Sequence, residues 1–169
     1  MIVVAIDPGI DGAAAALDDS CGLFQDVIDL PTRIVGKRRE IDVRCLSSWM
    51  YHLMPRRIVI EEVHSMPRDG RVGSFNFGVT YGMLKAVSLL ATNEPPEFVA
   101  PQRWKSYFRL ISEDKAASRG LALRLWPFTV FEIINCIEAT PHLASSMSFV
   151  FYQVHTNHLL LRVCVINMF

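Results

Sequence analysis

Residues 57–63 read Arg-Ile-Val-Ile-Glu-Glu-Val, and this run constrains the fold more than any other feature of the chain. Three β-branched residues stand together with no polar residue between them. A half-exposed strand would alternate, so an unbroken run predicts a strand covered on both faces. Such strands belong to sheets with parallel neighbours, which are reached by helical crossovers. Ile2–Ile6 is a second run of the same kind, closed by Asp7-Pro8-Gly9. Two covered strands about fifty residues apart, with helical patterns between and after them, indicate an α/β fold with a mixed sheet.

The rest of the chain fills in around these two strands. Gly12–Leu17 and Leu23–Leu30 read as strands close enough to the first to form hairpins. Thr32–Glu40 reads as a basic loop carrying Arg33, Lys37, Arg38 and Arg39. Asp42 suits a helix N-cap, with Val43, Leu46, Met50 and Leu53 spaced for one apolar face. A Gly-rich loop, Pro67–Gly73, leads to a helix expected from Phe75 to Ala91, with Phe77, Leu84, Val87 and Leu90 as its buried stripe. Glu97–Ala100 reads as a short strand, and Pro101 fits the first position of a helix carrying Trp104 and Phe108. Ser112 is expected to cap a further helix, with Glu113 and Asp114 in its first turn, ending near Trp126-Pro127.

A chain of 169 residues is long enough for one domain with a real core. Its net charge is zero, so any nucleic-acid reading must rest on where the charges sit. The four cysteines (Cys21, Cys45, Cys136 and Cys164) are far apart and form no CxxC pair. They predict a reducing, cytoplasmic setting and neither a disulfide framework nor a zinc site. The opening MIVVAIDPG has no basic region and meets an acid after six residues, which argues against a secretory leader. Charge is uneven: after residue 126 only Glu132, Glu138 and Arg162 are charged. Ser148–Phe169 is apolar, but Gln153, His155, Asn157, His158 and Arg162 interrupt it, and a membrane span needs ~20 mostly apolar residues.

Two acidic sites stand out. Asp7 follows a buried strand directly, which holds a carboxylate rigidly while its head group faces outward. Glu61-Glu62 closes the strand at residues 57–63, and adjacent strand residues point to opposite faces, so only one of the two can share a face with Asp7. Taken singly, Asp-Pro-Gly is a common turn and Glu-Glu a solvated strand end. Together, carboxylates at the ends of two buried strands are how an oxygen-ligand site for Mg²⁺ is built. Such a site suits phosphodiester hydrolysis, in which two ions ~3.5–4 Å apart activate water and stabilise the leaving oxygen.

The motifs then resemble those of RuvC-like Holliday junction resolvases, phage and prophage members above all. Ile6-Asp7-Pro8-Gly9-x-x-Gly12-Ala13 and Ile60-Glu61-Glu62-Val63-His64 are similar to the family's first two catalytic motifs. Ser74-Phe75-x-Phe77-Gly78-x-x-x-Gly82, Pro101-x-x-Trp104-Lys105 and Asp114-Lys115-x-x-Ser118-Arg119 follow in the family's order. The resemblance implies a ribonuclease H-like mixed sheet flanked by helices over residues 1–127. It implies Asp7 and Glu61 as metal ligands and catalytic residues, with Glu62 as a further candidate ligand, and Mg²⁺ as cofactor, for which Mn²⁺ can substitute. It also implies a homodimer acting on branched DNA such as four-way junctions, with no membrane partner. The DNA-binding candidates are Arg38, Arg39, Arg68, Arg71, Lys105, Lys115 and Arg119, whose phosphate contacts would give affinity without sequence information. Phe75 and Phe77 could stack on an unpaired base, although helix spacing favours core packing for Phe77.

The pattern breaks at one point. The family's last helix, with its final acids, is expected soon after Pro127, yet no Asp occurs after Asp114. Glu132, Glu138 and His142 are the substitutes the tail offers, and Pro141 breaks the spacing of the last two. Residues 128–169 therefore read as an atypical apolar tail in place of the final helix. A frameshift, a fusion end or a degenerate prophage copy would produce it. This leaves an active endonuclease, a catalytically inactive junction-binding protein and a nonfunctional truncated remnant as readings. An ATPase of the actin and sugar-kinase type would need a second phosphate-binding glycine loop and a longer chain, and neither is present.

Overall fold

A computed structural model describes residues 1–66 and 70–113, together with Ala117, Gly120, Leu121, Arg124 and Leu125. Arg68, Lys115 and Arg119, and everything expected of residues 128–169, lie outside the described residues.

The chain begins with an antiparallel meander of β1 (Ile2–Asp7), β2 (Ala13–Asp18) and β3 (Leu23–Asp29). A two-stranded hairpin follows, β4 (Thr32–Val35) and β5 (Arg38–Ile41), then α1 (Val43–Leu53). After α1 come β6 (Arg57–Glu61), α2 (Arg71–Thr92), β7 (Glu97–Val99) and α3 (Pro101–Tyr107). The main sheet has the order β3-β2-β1-β6-β7, and β4-β5 form a separate small sheet. β1 is antiparallel to β2 but parallel to β6, and β6 is parallel to β7. This is the mixed sheet with flanking helices that the motifs imply.

The two unbroken apolar runs occupy neighbouring positions at the centre of this sheet, as their covering demands. Alternate residues of β1 and β6 enter separate cores. Val4, Ile6, Ile58 and Ile60 pack with Leu46 and Met50 of α1 and Leu84 and Val87 of α2. Val3, Ala5 and Val59 pack on the other side with Val99, Trp104 and Leu110. The run Ala13–Ala16 in β2 is fully buried. Alanine is a poor strand former, but packing against neighbours overrides that weak preference.

Three expectations need correction. Thr32–Glu40 is a β-hairpin, not a loop. Gly36 has the positive φ (63°) that a tight turn requires, and Thr32↔Ile41 to Val35↔Arg38 pair in register. α2 begins at Arg71 instead of Phe75, with Gly70 in an extended conformation ahead of it. Its buried stripe is Thr80, Leu84, Val87 and Ser88, whereas Leu90 is 78% exposed. Ser88 is tolerated in that stripe because its Oγ donates to the Leu84 carbonyl at 2.7 Å. Finally, Ser112 has a left-handed φ of 72° and so lacks the extended backbone of an N-cap.

The Asp42 cap does form. Its Oδ1 accepts from the backbone N–H of Arg44 and Cys45 at 3.1 and 3.2 Å. Those bonds, led by the one from Cys45, hold its carboxyl below the ordinary range. Among the described residues no helix is long and apolar enough to cross a membrane.

Candidate active site at the carboxyl ends of β1 and β6

The site is set by strand register. Ile6 of β1 lies opposite Ile60 of β6 in a parallel pair. One residue further on, Asp7 and Glu61 come level as the last residues of their strands. Neighbouring strands are ~4.8 Å apart, and residues level with each other in a parallel pair point to the same face. Alternation from Ala5 and Val59 places that face on the side of α3. A hydrogen bond agrees with this, because the Trp104 indole Nε1–H donates to Glu61 Oε1 at 3.0 Å. Both carboxylates are half-buried.

Glu62 goes the other way. Its backbone N–H donates to the Val99 carbonyl at 2.9 Å, which continues the β6–β7 ladder and keeps the alternation of faces. Its carboxylate lies 3.8 Å from His64 Nε2. It also acts on Tyr81 of α2, whose phenol is pushed above its usual value by burial first and by the Glu62 charge second. Of the two adjacent acids, then, strand alternation puts Glu61 on the face shared with Asp7 and Glu62 on the other, although the Glu61 charge also raises the Tyr81 phenol, by less than Glu62 does.

The turn after Asp7 is held tightly. Gly12 N–H donates to the Gly9 carbonyl at 3.1 Å, and Leu30 N–H to the Gly12 carbonyl at 2.9 Å. A Cβ on Gly12 would collide with the Asp7 carbonyl oxygen and lie 2.9 Å from the Gly9 carbonyl oxygen. Only glycine fits there, so the turn that presents Asp7 depends on it. Arg39 of β5 reaches this same turn. Its guanidinium pairs with Asp11 at 2.7 Å and approaches the Ile10 carbonyl at 3.5 Å.

The basic candidates are thereby sorted by position. Because residues 32–41 form a hairpin, Lys37, Arg38 and Arg39 stand over the first half of α2. With Phe75, Asn76, Phe77 and Ile10 they line a cleft of about 570 Å³. Arg38 donates to Asn76 Oδ1 at 3.3 Å, and Arg39 is engaged with the Asp11 turn, so part of this positive charge is already committed within the protein. Arg33 is exposed on β4, and Arg71 is exposed at the start of α2. Lys105 is on α3, with its ammonium 5.5 Å from the centre of the Trp104 ring. Phe75 is 68% exposed, whereas Phe77 is half-buried and stacks on Tyr81 at 5.8 Å.

Sequence reasoning placed Trp104 on a helix without giving it a place in the site. The signal was present: a Trp three residues after a helix-starting Pro, at the end of a short strand, is positioned to pack back onto the sheet. Among the described residues, no group of three or more His, Cys, Asp or Glu side chains is arranged to hold a metal ion. Two carboxylate donors nevertheless match the needs of Mg²⁺, which is commonly held by one or two carboxylates with water and substrate phosphate completing its shell.

No family model matches the chain, and no curated protein matches it. Among solved structures, the chain is similar to RuvC of T. thermophilus in complex with a Holliday junction substrate, at 17% identity over 71% of this chain and 77% of that one, with a TM-score of 0.49. A second structure, of Thermus thermophilus RuvC, is 13% identical over 74% of this chain and 80% of that one, with a TM-score of 0.47. These are resemblances of overall shape and assign no role to any residue.

Proposed function

We propose that this chain is a metal-dependent endonuclease for branched DNA, with Asp7 and Glu61 as its metal ligands. The observation that carries the reading is the register of β1 and β6, which brings these two acids level, on one face, at the carboxyl ends of two adjacent buried strands. The sequence motifs around both acids, which resemble those of RuvC-like resolvases, supply the substrate class. Mg²⁺, or Mn²⁺ in its place, would activate water and offset charge on the leaving oxygen when bound. The protein's own part is to hold the two carboxylates rigidly. Gly12 and the Arg39–Asp11 pair fix the Asp7 turn, and Trp104 holds Glu61. Arg38, Arg39, Arg71 and Lys105, with Lys37 beside them, would meet DNA phosphates, together with Arg68, Lys115 and Arg119 of the sequence reading. A homodimer would place two such sites on one four-way junction, in a reducing, cytoplasmic setting.

One feature of the sequence favours a second reading, binding without cleavage: no Asp follows Asp114, where the resemblance implies the family's final acids, and Glu132, Glu138 and His142 are the substitutes on offer. The deciding experiment is cleavage of a labelled synthetic four-way junction with Mg²⁺ or Mn²⁺, beside EDTA and Asp7→Asn controls, with a gel shift on the same samples. Nicking that disappears in EDTA and falls by more than ~100-fold in Asp7→Asn is expected, since even outer partners of metal ligands cost ~10–100-fold. Junction binding without nicking would establish the second reading. Nicking that survives the Asp7→Asn change would remove the site proposed here.

A further inference from the structure

Resting on that reading of Asp7 and Glu61, we infer that Trp104 is a positioning residue for the Glu61 carboxylate. Trp104 is fully buried, in contact with the core that contains Val3, Ala5, Val59 and Val99. Indole nitrogen can only donate, and a buried donor needs an acceptor. That acceptor is Glu61 Oε1 at 3.0 Å, forty-three residues away in sequence. The ring cannot follow a moving carboxylate. Pro101 starts α3 immediately after β7, and α3 is only seven residues long, so the helix is tied to the same sheet that carries Glu61. One oxygen of Glu61 is therefore held by a rigid, uncharged donor, which fixes the rotamer on the face shared with Asp7. A neutral donor does this without cancelling the negative charge a cation would need.

Trp49 provides an internal control. Its indole N–H also donates to a carboxylate, Asp26 Oδ2 at 2.7 Å, but Asp26 is on β3 at the edge of the sheet. Among the described residues, the same type of bond therefore occurs once at the candidate site and once away from it.

The test is Mn²⁺ affinity of the DNA-free protein, measured by calorimetry for the unaltered chain, Trp104→Phe and Trp49→Phe. Phenylalanine keeps most of the ring and removes the donor. Trp104→Phe is expected to weaken Mn²⁺ binding by ~10-fold or more, the range for outer partners of metal ligands, whereas Trp49→Phe leaves it unchanged. A purely structural role for Trp104 would lower thermal stability without this selective loss. If Trp104→Phe folds poorly, the indole N–H resonances of the unaltered protein give the answer. Mn²⁺ must broaden the Trp104 signal at concentrations that leave the Trp49 signal sharp, and equal broadening overturns the inference. Unchanged Mn²⁺ affinity in folded Trp104→Phe overturns the positioning role alone. An unaltered protein that fails to bind Mn²⁺ overturns both this role and the metal site on which it rests.

Discussion

The two faces of the central sheet are built from the same strands and end differently. Towards α1 and α2, β1 and β6 contribute Val4, Ile6, Ile58 and Ile60 to an apolar core closed by Leu46, Met50 and Leu84. Towards α3 they contribute Val3, Ala5 and Val59, and the next residues on that face are Asp7 and Glu61. One face stays apolar through Ile6 and Ile60 and meets Glu62 only beyond the end of β6, whereas the other becomes acidic at Asp7 and Glu61 within the strands. A period of two lets one strand serve stability on one side and chemistry on the other. Substitutions on the α1–α2 face should therefore act on folding alone, while those around Trp104 should act on both.

Trp104→Ala is the harshest test of this division. Loss of a large buried aromatic is expected to cost ~3–5 kcal/mol of stability, and Mn²⁺ affinity should fall with it. Denaturant unfolding beside metal titration of the remaining folded protein would separate the two losses. Leu84→Ala, on the opposite face, is expected to cost ~2–5 kcal/mol with Mn²⁺ affinity per folded molecule unchanged. A change in that affinity would show that the faces are not independent.

The adjacent acids give a sharper comparison. If Glu61 is a ligand as proposed, Glu61→Gln should reduce metal affinity and nicking by more than ~10-fold, because it would remove a ligand charge and not merely its support. Glu62→Gln, directed towards α2, should change either by no more than about 2-fold, a difference of ~0.4 kcal/mol. Equal effects of the two changes would mean that both carboxylates reach the metal.

The smallest effect concerns Tyr81. Its pKa is raised above the ordinary value of 10.0, by burial first and by Glu62 second. Glu62→Gln should lower it only part of the way, readable as an earlier rise of tyrosinate absorbance in an alkaline titration. The sign for stability follows from the same shift. As pH passes 10 the unfolded chain loses this proton before the folded one does, so the folded state loses stability through that range and has its full share below it.

Much of this was present in the order of residues. Unbroken apolar runs at residues 2–6 and 58–60 specify covered strands, because a sheet with both faces packed accommodates them. Asp42 before an apolar stripe specifies the start of α1, since its carboxylate satisfies two N–H groups that the helix leaves open. Alternation showed that Glu61 and Glu62 must separate, but not which one joins Asp7. That choice depends on the register between β1 and β6, a property of two strands meeting that neither strand contains. The β4–β5 hairpin was hidden for a related reason, since its charged, exposed residues carry no apolar period and only pairing defines it. The Trp104–Glu61 bond is the plainest case. The sequence determined that a buried indole would need an acceptor, and the packing of α3 onto the sheet alone decided which carboxylate it would be.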